Sequence, residues 1–347
     1  MAITDDVAAS SGAAQKARRT WKHLPEEYPV EIAPFAMWPP KLFASIAYVA
    51  KTWLLPNGVR FQTLAVALIV WNWFTPSYDR VVTFQVDWMA EILLRNLVVF
   101  LAAAGGLHLW LYTFRMQGDA TSFDARPMVK NNKAFLFNSQ VWENMFWSLS
   151  IGVPVGTLYE CVMHWAFANG HIVMIDWMDN PVWFAALFVL LPLATGTHFY
   201  ILHRFEHIEP FFKWIHSIHH KNVNVGPWSG HSAHPLETAG IFSDIFLLVL
   251  VPCHPLHALY VLMAHYISGP AAHCGYEKIK ILGITVLNSG DFFHHLHHRF
   301  YDCNYGTQEL PFDPQFKSFH DGSPENDKLI AARRRELRSK ATARSKS

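Results

Sequence analysis

The stretch VWFAALFVLLPLATGTHFYIL, residues 182–202, runs for 21 residues without a charged side chain. About 20 apolar residues are enough to cross the hydrocarbon core of a bilayer as a helix. In that setting every backbone N–H and C=O must be satisfied within the segment, which leaves helices and closed barrels as the only spanning structures. Three more stretches read as spans: 59–75, 92–114 and 141–165, the last two interrupted by polar residues. The composition agrees, because charged residues make up 16% of the chain, against about 25% in soluble domains. Fourteen tryptophans fit the same setting, since indoles favour the membrane–water boundary.

Loop charge sets the orientation. The 115–140 loop holds Arg115, Arg126, Lys130 and Lys133, whereas the 166–181 loop has no Lys or Arg and carries Asp176 and Asp179. The positive-inside rule puts the first loop in the cytoplasm. The basic N-terminal tail (Lys16, Arg18, Arg19, Lys22) and everything after about His203 then fall on that side too. The segment 42–55 reads as a helix lying in the interface, broken from the next by Pro56-Asn57-Gly58. The segment 241–266 is divided by Pro252 and Pro255 into halves too short to span, so a hairpin dipping into the bilayer edge is expected. The first twenty residues contain Asp5 and Asp6 and lack an apolar core, so no cleavable signal peptide is expected. Four cysteines without CxxC spacing suggest neither a disulfide framework nor a thiolate metal site. A net charge of +1 implies no nucleic-acid surface.

Directly after the cleanest span the chain changes character. Sixteen of its 21 histidines lie between His198 and His298. Three blocks stand out: HRFEH with His203 and His207, HSIHH with His216, His219 and His220, and HHLHH with His294, His297 and His298. On a helix, residues at i, i+3 and i+4 share a face, so each block aims its imidazoles one way. His295 sits about 100° off that face and is expected beside the metal rather than on it. Imidazole is the commonest ligand for first-row metals. Eight block histidines exceed what one tetrahedral zinc needs and suit two ions. Without HExxH a zinc membrane hydrolase is poorly supported, and without a paired Glu-x-x-His so is a carboxylate-bridged site in a helix bundle. A metal transporter would place its ionisable residues within the spans, and here the blocks follow them.

Together with HPLET (234–238), HCGYE (273–277) and the continuation HHLHHRFYDCNYG (294–306), these blocks resemble the fatty acid hydroxylase/sterol desaturase superfamily over about residues 140–306. HPLET followed by a hairpin and HCGYE resembles the sterol 4-methyl oxidase branch, and SGDFFHHLHHRFYDCNYG equally resembles sterol C-5 desaturases. The resemblance implies a membrane-bound non-haem di-iron oxidoreductase that uses dioxygen to hydroxylate, or alternatively desaturate, a lipid or sterol-like substrate. It carries His203, His207, His216, His219, His220, His294, His297 and His298 over as ligands of two iron ions, with His234 and His273 as further ligands. His198 and His231 are expected next to the ligands. Glu237 and Glu277 are expected to hold imidazole N–H groups, as carboxylates commonly do around metal sites. His108 and His164, within spans, read as packed residues. The chain shows no Rossmann GxGxxG or haem-binding segment, so electrons are expected from a separate protein.

The expected fold is an all-α integral membrane protein: about four transmembrane helices, interfacial helices and a cytoplasmic helical cap carrying the histidine blocks. It divides into a cytoplasmic tail (1–40), an N-terminal membrane region (41–140), a catalytic region (141–306) and a polar basic tail (307–347). The expected location is a bacterial inner membrane or the endoplasmic reticulum.

Overall fold

The computed structural model describes residues 30–344 apart from positions 125 and 290. The basic residues expected to hold the N-terminus in the cytoplasm, Lys16 to Lys22, lie outside this range. The chain is mostly helical. Two helices are long and apolar enough to cross a membrane: α3 (Val86–Thr113) and α6 (Pro181–Glu206). The other two expected spans are also helical. The first is α2 (Val59–Trp73); the second is a run of α4 (Gln140–Trp147) and α5 (Val153–Ala168), joined by a wider turn at Ser148–Gly152. Before them lies α1 (Leu42–Leu54), which leaves Leu42, Phe43, Ile46 and Leu54 exposed.

Local chemistry starts α6 where it does. Asn180 caps it by accepting the Trp183 N–H at 3.2 Å, and Pro181 follows at the first helical position, where its missing N–H costs nothing. Twenty-six residues give it a length of about 39 Å. It therefore carries His203 and His207 well clear of its own start.

The hairpin departs from expectation in depth. Its limbs are α8 (Pro235–Phe242), continuing as a 3₁₀ helix over Ser243–Leu250, and α9 (Pro255–Ala272). At the tip Cys253 exchanges backbone hydrogen bonds with Val173 and Ile175, in the loop between α5 and α6. The tip thus lies at the far end of the bundle from the histidines. Two features supply the extra reach. A 3₁₀ helix rises about 2.0 Å per residue against 1.5 Å in an α-helix, and both limbs extend beyond 241–266. Each limb then spans about 27 Å. The ends still return to one side, because the Gly230 backbone packs so tightly on Gly269 that a Cβ would come within 2.6 Å of its carbonyl oxygen. Most of α9 is buried, and it forms the centre of the main apolar cluster with α2, α3, α5 and α6.

Within the same core, Arg95 of α3 pairs with Glu160 of α5, its Nη2 reaching both carboxylate oxygens. Asn96 donates to Glu160 at 2.9 Å and to Thr157 at 3.0 Å, and His164 lies 3.3 Å from the carboxylate. His164 is therefore part of a buried charge network rather than simply packed. His108 stacks on Tyr112 at 5.6 Å.

A small β element departs from the all-α expectation. Strands β1 (Ile279–Ile281) and β2 (Ile284–Leu287) form an antiparallel hairpin. Alternating β-branched residues favour it, and Leu282 and Gly283 both take positive φ, the geometry of a tight primed turn. The packed structure also continues past residue 306 into the expected tail, through α11 (Phe312–Gln315) and into α12 (Pro324–Arg344), where His320 pairs with Asp327 at 3.0 Å.

Candidate metal centre

Three short elements deliver the block histidines, and the C-terminal end of α9 delivers His273. The first is the C-terminal end of α6. The second is a turn over Phe212–His216 that leads into α7 (Ser217–His220). The third is α10 (Phe292–Phe300), whose N-terminus is capped by Asp291 accepting the His294 N–H at 2.8 Å. Its other end stops at Tyr301, whose φ of +65° is left-handed. Phe292, Phe293 and Leu296 pin α10 against Val30, Ile32 and Phe123. Asn222 fixes α7: it donates to the His219 carbonyl at 3.0 Å while accepting from Gln140 and Asn144 of α4.

The histidines divide into two groups. His203, His207, His216, His220 and His297 bring one ring nitrogen each within 4.8 Å of one another, and His219, His273, His294 and His298 do the same. The two groups adjoin, with the rings of His220 and His298 4.9 Å apart. The division refines the shared-face expectation. On an α-helix residue i+4 lies about 40° from i, while i+3 lies about 60° to the other side. The pairs His203/His207, His216/His220 and His294/His298 each stay together, and the i+3 residues His219 and His297 cross to the opposite group.

Hydrogen bonds fix several of the rings. Nδ1 of His203 donates to the Tyr305 carbonyl at 2.7 Å, that of His297 to Cys303 at 2.6 Å, and that of His273 to Gly269 at 2.9 Å. His219 faces the Ser232 carbonyl at 3.3 Å. The Nδ1 of His216 faces Glu237 at 2.9 Å, as expected for that carboxylate, with Glu206 at 3.7 Å. A proton on Nδ1 leaves Nε2 as a bare lone pair. Burial, reinforced by neighbouring imidazoles, holds the pKa of His216, His219, His220, His294, His297 and His298 well below the ordinary value, so these rings are neutral at pH 7.

The Nε2 atoms of each group point at one another. Nε2 of His203 and of His216 are 3.0 Å apart, although each ring already has its proton on Nδ1. In the first group His220–His297 stand at 3.0 Å and His207–His297 at 3.2 Å. In the second, His273–His294 are at 3.0 Å and His294–His298 at 3.1 Å. His203 and His216, both with the proton on Nδ1, repel at that distance unless a cation lies between them. Nitrogens bound about 2.1 Å from one ion are about 3.0 Å apart at right angles and about 3.4 Å apart at tetrahedral angles. The observed separations suit nitrogens that share one ion. An all-imidazole donor set suits zinc, copper, iron or nickel.

Other expected site residues lie elsewhere. His234 is not in either group: its Nδ1 accepts the Leu236 N–H at 3.2 Å and caps α8, which takes that nitrogen away from any metal. His198 bonds Ser243 at 3.0 Å on the face of α6 turned toward the hairpin. His231 bonds the His265 carbonyl at 2.8 Å between Phe100 and Phe242. His295 is buried between Phe123 and Phe292, off the ligand face as its helical angle requires, and burial holds its pKa down to about 3. Glu277 is not brought to an imidazole; burial, then the nearby Asp291, pushes its pKa up to about 7. Gly275 of HCGYE takes φ +76°, and a Cβ there would come within 2.6 Å of the Tyr112 hydroxyl.

Several supporting residues escape the motifs. Glu206 stands second to Glu237 behind His216. Asp313 accepts the Tyr305 and Gly306 N–H groups at 3.0 and 2.8 Å, fixing the carbonyl that holds His203. Their only sequence signal is an acidic residue beside or shortly after a histidine block.

Residues 188–318 match the family model described as fatty acid hydroxylase. Methylsterol monooxygenase 1 of Gallus gallus is 23% identical over 246 residues, covering 68% of this chain and 77% of the relative. The Danio rerio protein of the same description is 24% identical, covering 71% and 81%. Delta(7)-sterol-C5(6)-desaturase of Nicotiana tabacum is 25% identical, covering 59% and 74%. No solved structure matches the chain. The superfamily resemblance drawn from the histidine blocks is borne out, in both of the branches it pointed to.

Proposed function

We propose that this chain, whose histidine region carries the fatty acid hydroxylase pattern, is a membrane-bound oxidoreductase that hydroxylates a lipid or sterol-like substrate. It would use two iron ions, dioxygen and electrons from a separate protein. The observation that carries this reading is the pair of adjoining groups of neutral imidazoles whose Nε2 atoms converge. His203, His207, His216, His220 and His297 would hold one iron, and His219, His273, His294 and His298 the other. When bound, the irons supply the power to oxidise an unactivated C–H bond.

The chain's own part is to bind, orient and shield. The Tyr305, Cys303 and Gly269 carbonyls keep Nε2 free on three ligands. Glu237, with Glu206 behind it, faces the His216 Nδ1 and so orients that ring. Burial of α10 and α7 keeps water from the reacting carbon.

Four crossings by α2, α3, α4–α5 and α6 would leave the histidines on the cytoplasmic side, with the hairpin entering and leaving from that side. Cysteines placed at the exposed positions Asn180 and Lys213 should then react with impermeant reagents from opposite sides of sealed vesicles; labelling from one side would refute that crossing count.

Hydroxylation is favoured over desaturation by HPLET and HCGYE, which resemble the methyl-oxidising branch. The test is incubation with ¹⁸O-labelled dioxygen, a reductase and total membrane lipid. A lipid product carrying the label is expected. A product two hydrogens lighter and free of label would assign the chain to desaturation instead.

A further inference from the structure

The β1–β2 hairpin stands in the connection between His273 and His294, both members of the second histidine group. Its base is tied to the ends of two apolar helices. The Gln62 amide of α2 donates to the Val286 carbonyl at 2.7 Å, and the Asn288 N–H donates to the Asn57 carbonyl at 2.8 Å. From the last turn of α3, Trp110 Nε1 donates to the Lys280 carbonyl at 3.2 Å. Ile279 and Leu287 are buried in the same cluster as Leu111, with Val59 and Leu107 packed against it. The β-hairpin is therefore held at the level where α2 begins and α3 ends. Tryptophan at such a level favours the membrane–water boundary.

The tip is apolar and uncovered. Ile281, Leu282 and Ile284 expose 42%, 95% and 70% of their surface. Leu282 does so at φ +50°, the first position of a turn that ordinarily takes Asn, Asp or Gly. A left-handed leucine is sterically costly, and in water its exposed side chain returns nothing for that cost. In hydrocarbon the side chain is favoured. Leu54 and Leu55, just before Asn57, are exposed as well, so the apolar surface of the α1–α2 turn continues onto the tip.

Cations surround this surface. Lys278 and Lys280 flank the buried Ile279, and Lys51 stands three residues before Leu54. Lys51 and Lys278 both act on Glu277, whose carboxyl is pushed up to about 7 by burial and then by Asp291, so it offsets them only in part at neutral pH. Among the described residues, none of the three lysines has an ion-pair partner. Exposed apolar side chains beside unpaired ammonium groups, at the level of a bilayer surface, match a phospholipid with a negative headgroup.

We propose that the β-hairpin is a binding site for an anionic phospholipid: Ile281, Leu282 and Ile284 enter the edge of the bilayer, and Lys51, Lys278 and Lys280 receive the headgroup. The proposal goes beyond the oxidase reading. It rests on α2 and α3 crossing the bilayer, which the labelling of Asn180 and Lys213 tests separately.

The test uses the full chain with bimane attached at Leu282→Cys; the native Cys161, Cys253, Cys274 and Cys303 are all buried and leave the new thiol as the accessible one. The protein is reconstituted in vesicles of equal parts phosphatidylcholine and phosphatidylglycerol, with one or the other lipid carrying a nitroxide high on its acyl chain. Both labelled lipids should quench the probe, phosphatidylglycerol more strongly, and aqueous iodide should not. In Lys278→Gln the preference for phosphatidylglycerol should fall about fivefold, since one cation near an anionic surface contributes about 1 kcal/mol. Ile284→Cys carries the probe in a second preparation and decides the matter if Leu282→Cys disturbs the turn. Equal quenching by the two lipids, or quenching by iodide, would overturn the proposal. Shielding from lipid and iodide alike would overturn it too, because a protein surface would then cover the tip.

Discussion

Replacing His297 by Ala is expected to remove lipid oxidation to below about a thousandth of the wild-type rate, and His219→Ala to do the same. A change beside the ligands typically costs about 10- to 100-fold, and losing a ligand should exceed that. These two residues are the i+3 members of their blocks, and each crosses to the group opposite its helical neighbours. Each loss therefore opens one group while leaving the other's ligands in place. His295→Ala removes a buried ring that touches neither group and should keep iron and most activity. The check is oxidation rate together with iron per chain for all three variants. If His297→Ala kept its rate, or if His295→Ala fell as far as His219→Ala, the ligand assignment would be wrong.

Glu160→Leu should destabilise the bundle by roughly 3–5 kcal/mol, because Arg95 would remain buried without a counter-charge. Asn96 and His164 would lose their acceptor at the same time. The double replacement Arg95→Met with Glu160→Leu removes both charges and should recover most of the loss, since a buried pair often breaks even against apolar side chains of similar size. Thermal unfolding in one detergent would measure both variants. Single replacements costing less than about 1 kcal/mol would show that the pair is solvated or dispensable.

How much was legible in the sequence differs from one level to the next. The long apolar helices and the histidine blocks are legible because each has its own mark: a long uncharged run in one case, i, i+3 and i+4 spacing in the other. Helical angle alone sets His295 apart from the other histidines of its block, and the structure buries it between Phe123 and Phe292. The division of HSIHH and HHLHH between two groups follows from the same angles, but only once two groups are seen to face the helices. His234, expected as a further ligand, caps α8 with its Nδ1, a local hydrogen bond that a motif does not show. The depth of the hairpin was missed because a 3₁₀ limb covers more distance per residue than the α-helical rise assumes. Asp313, Asn222 and Glu206 escaped for a common reason: they act through one carbonyl, one turn or one ring nitrogen, and such contacts leave no periodic trace. The Arg95–Glu160 pair looked like two interruptions in two spans, and only the packing of α3 on α5 makes them partners.

The central claim is that the two histidine groups hold two irons. It is tested most directly by metal analysis of protein purified in detergent under anaerobic conditions, with iron, zinc, copper and nickel measured per chain. Two irons per chain are expected in active protein, falling to about one in His219→Ala or His297→Ala. A reproducible content of one zinc and no iron, with lipid oxidation retained, would contradict the account.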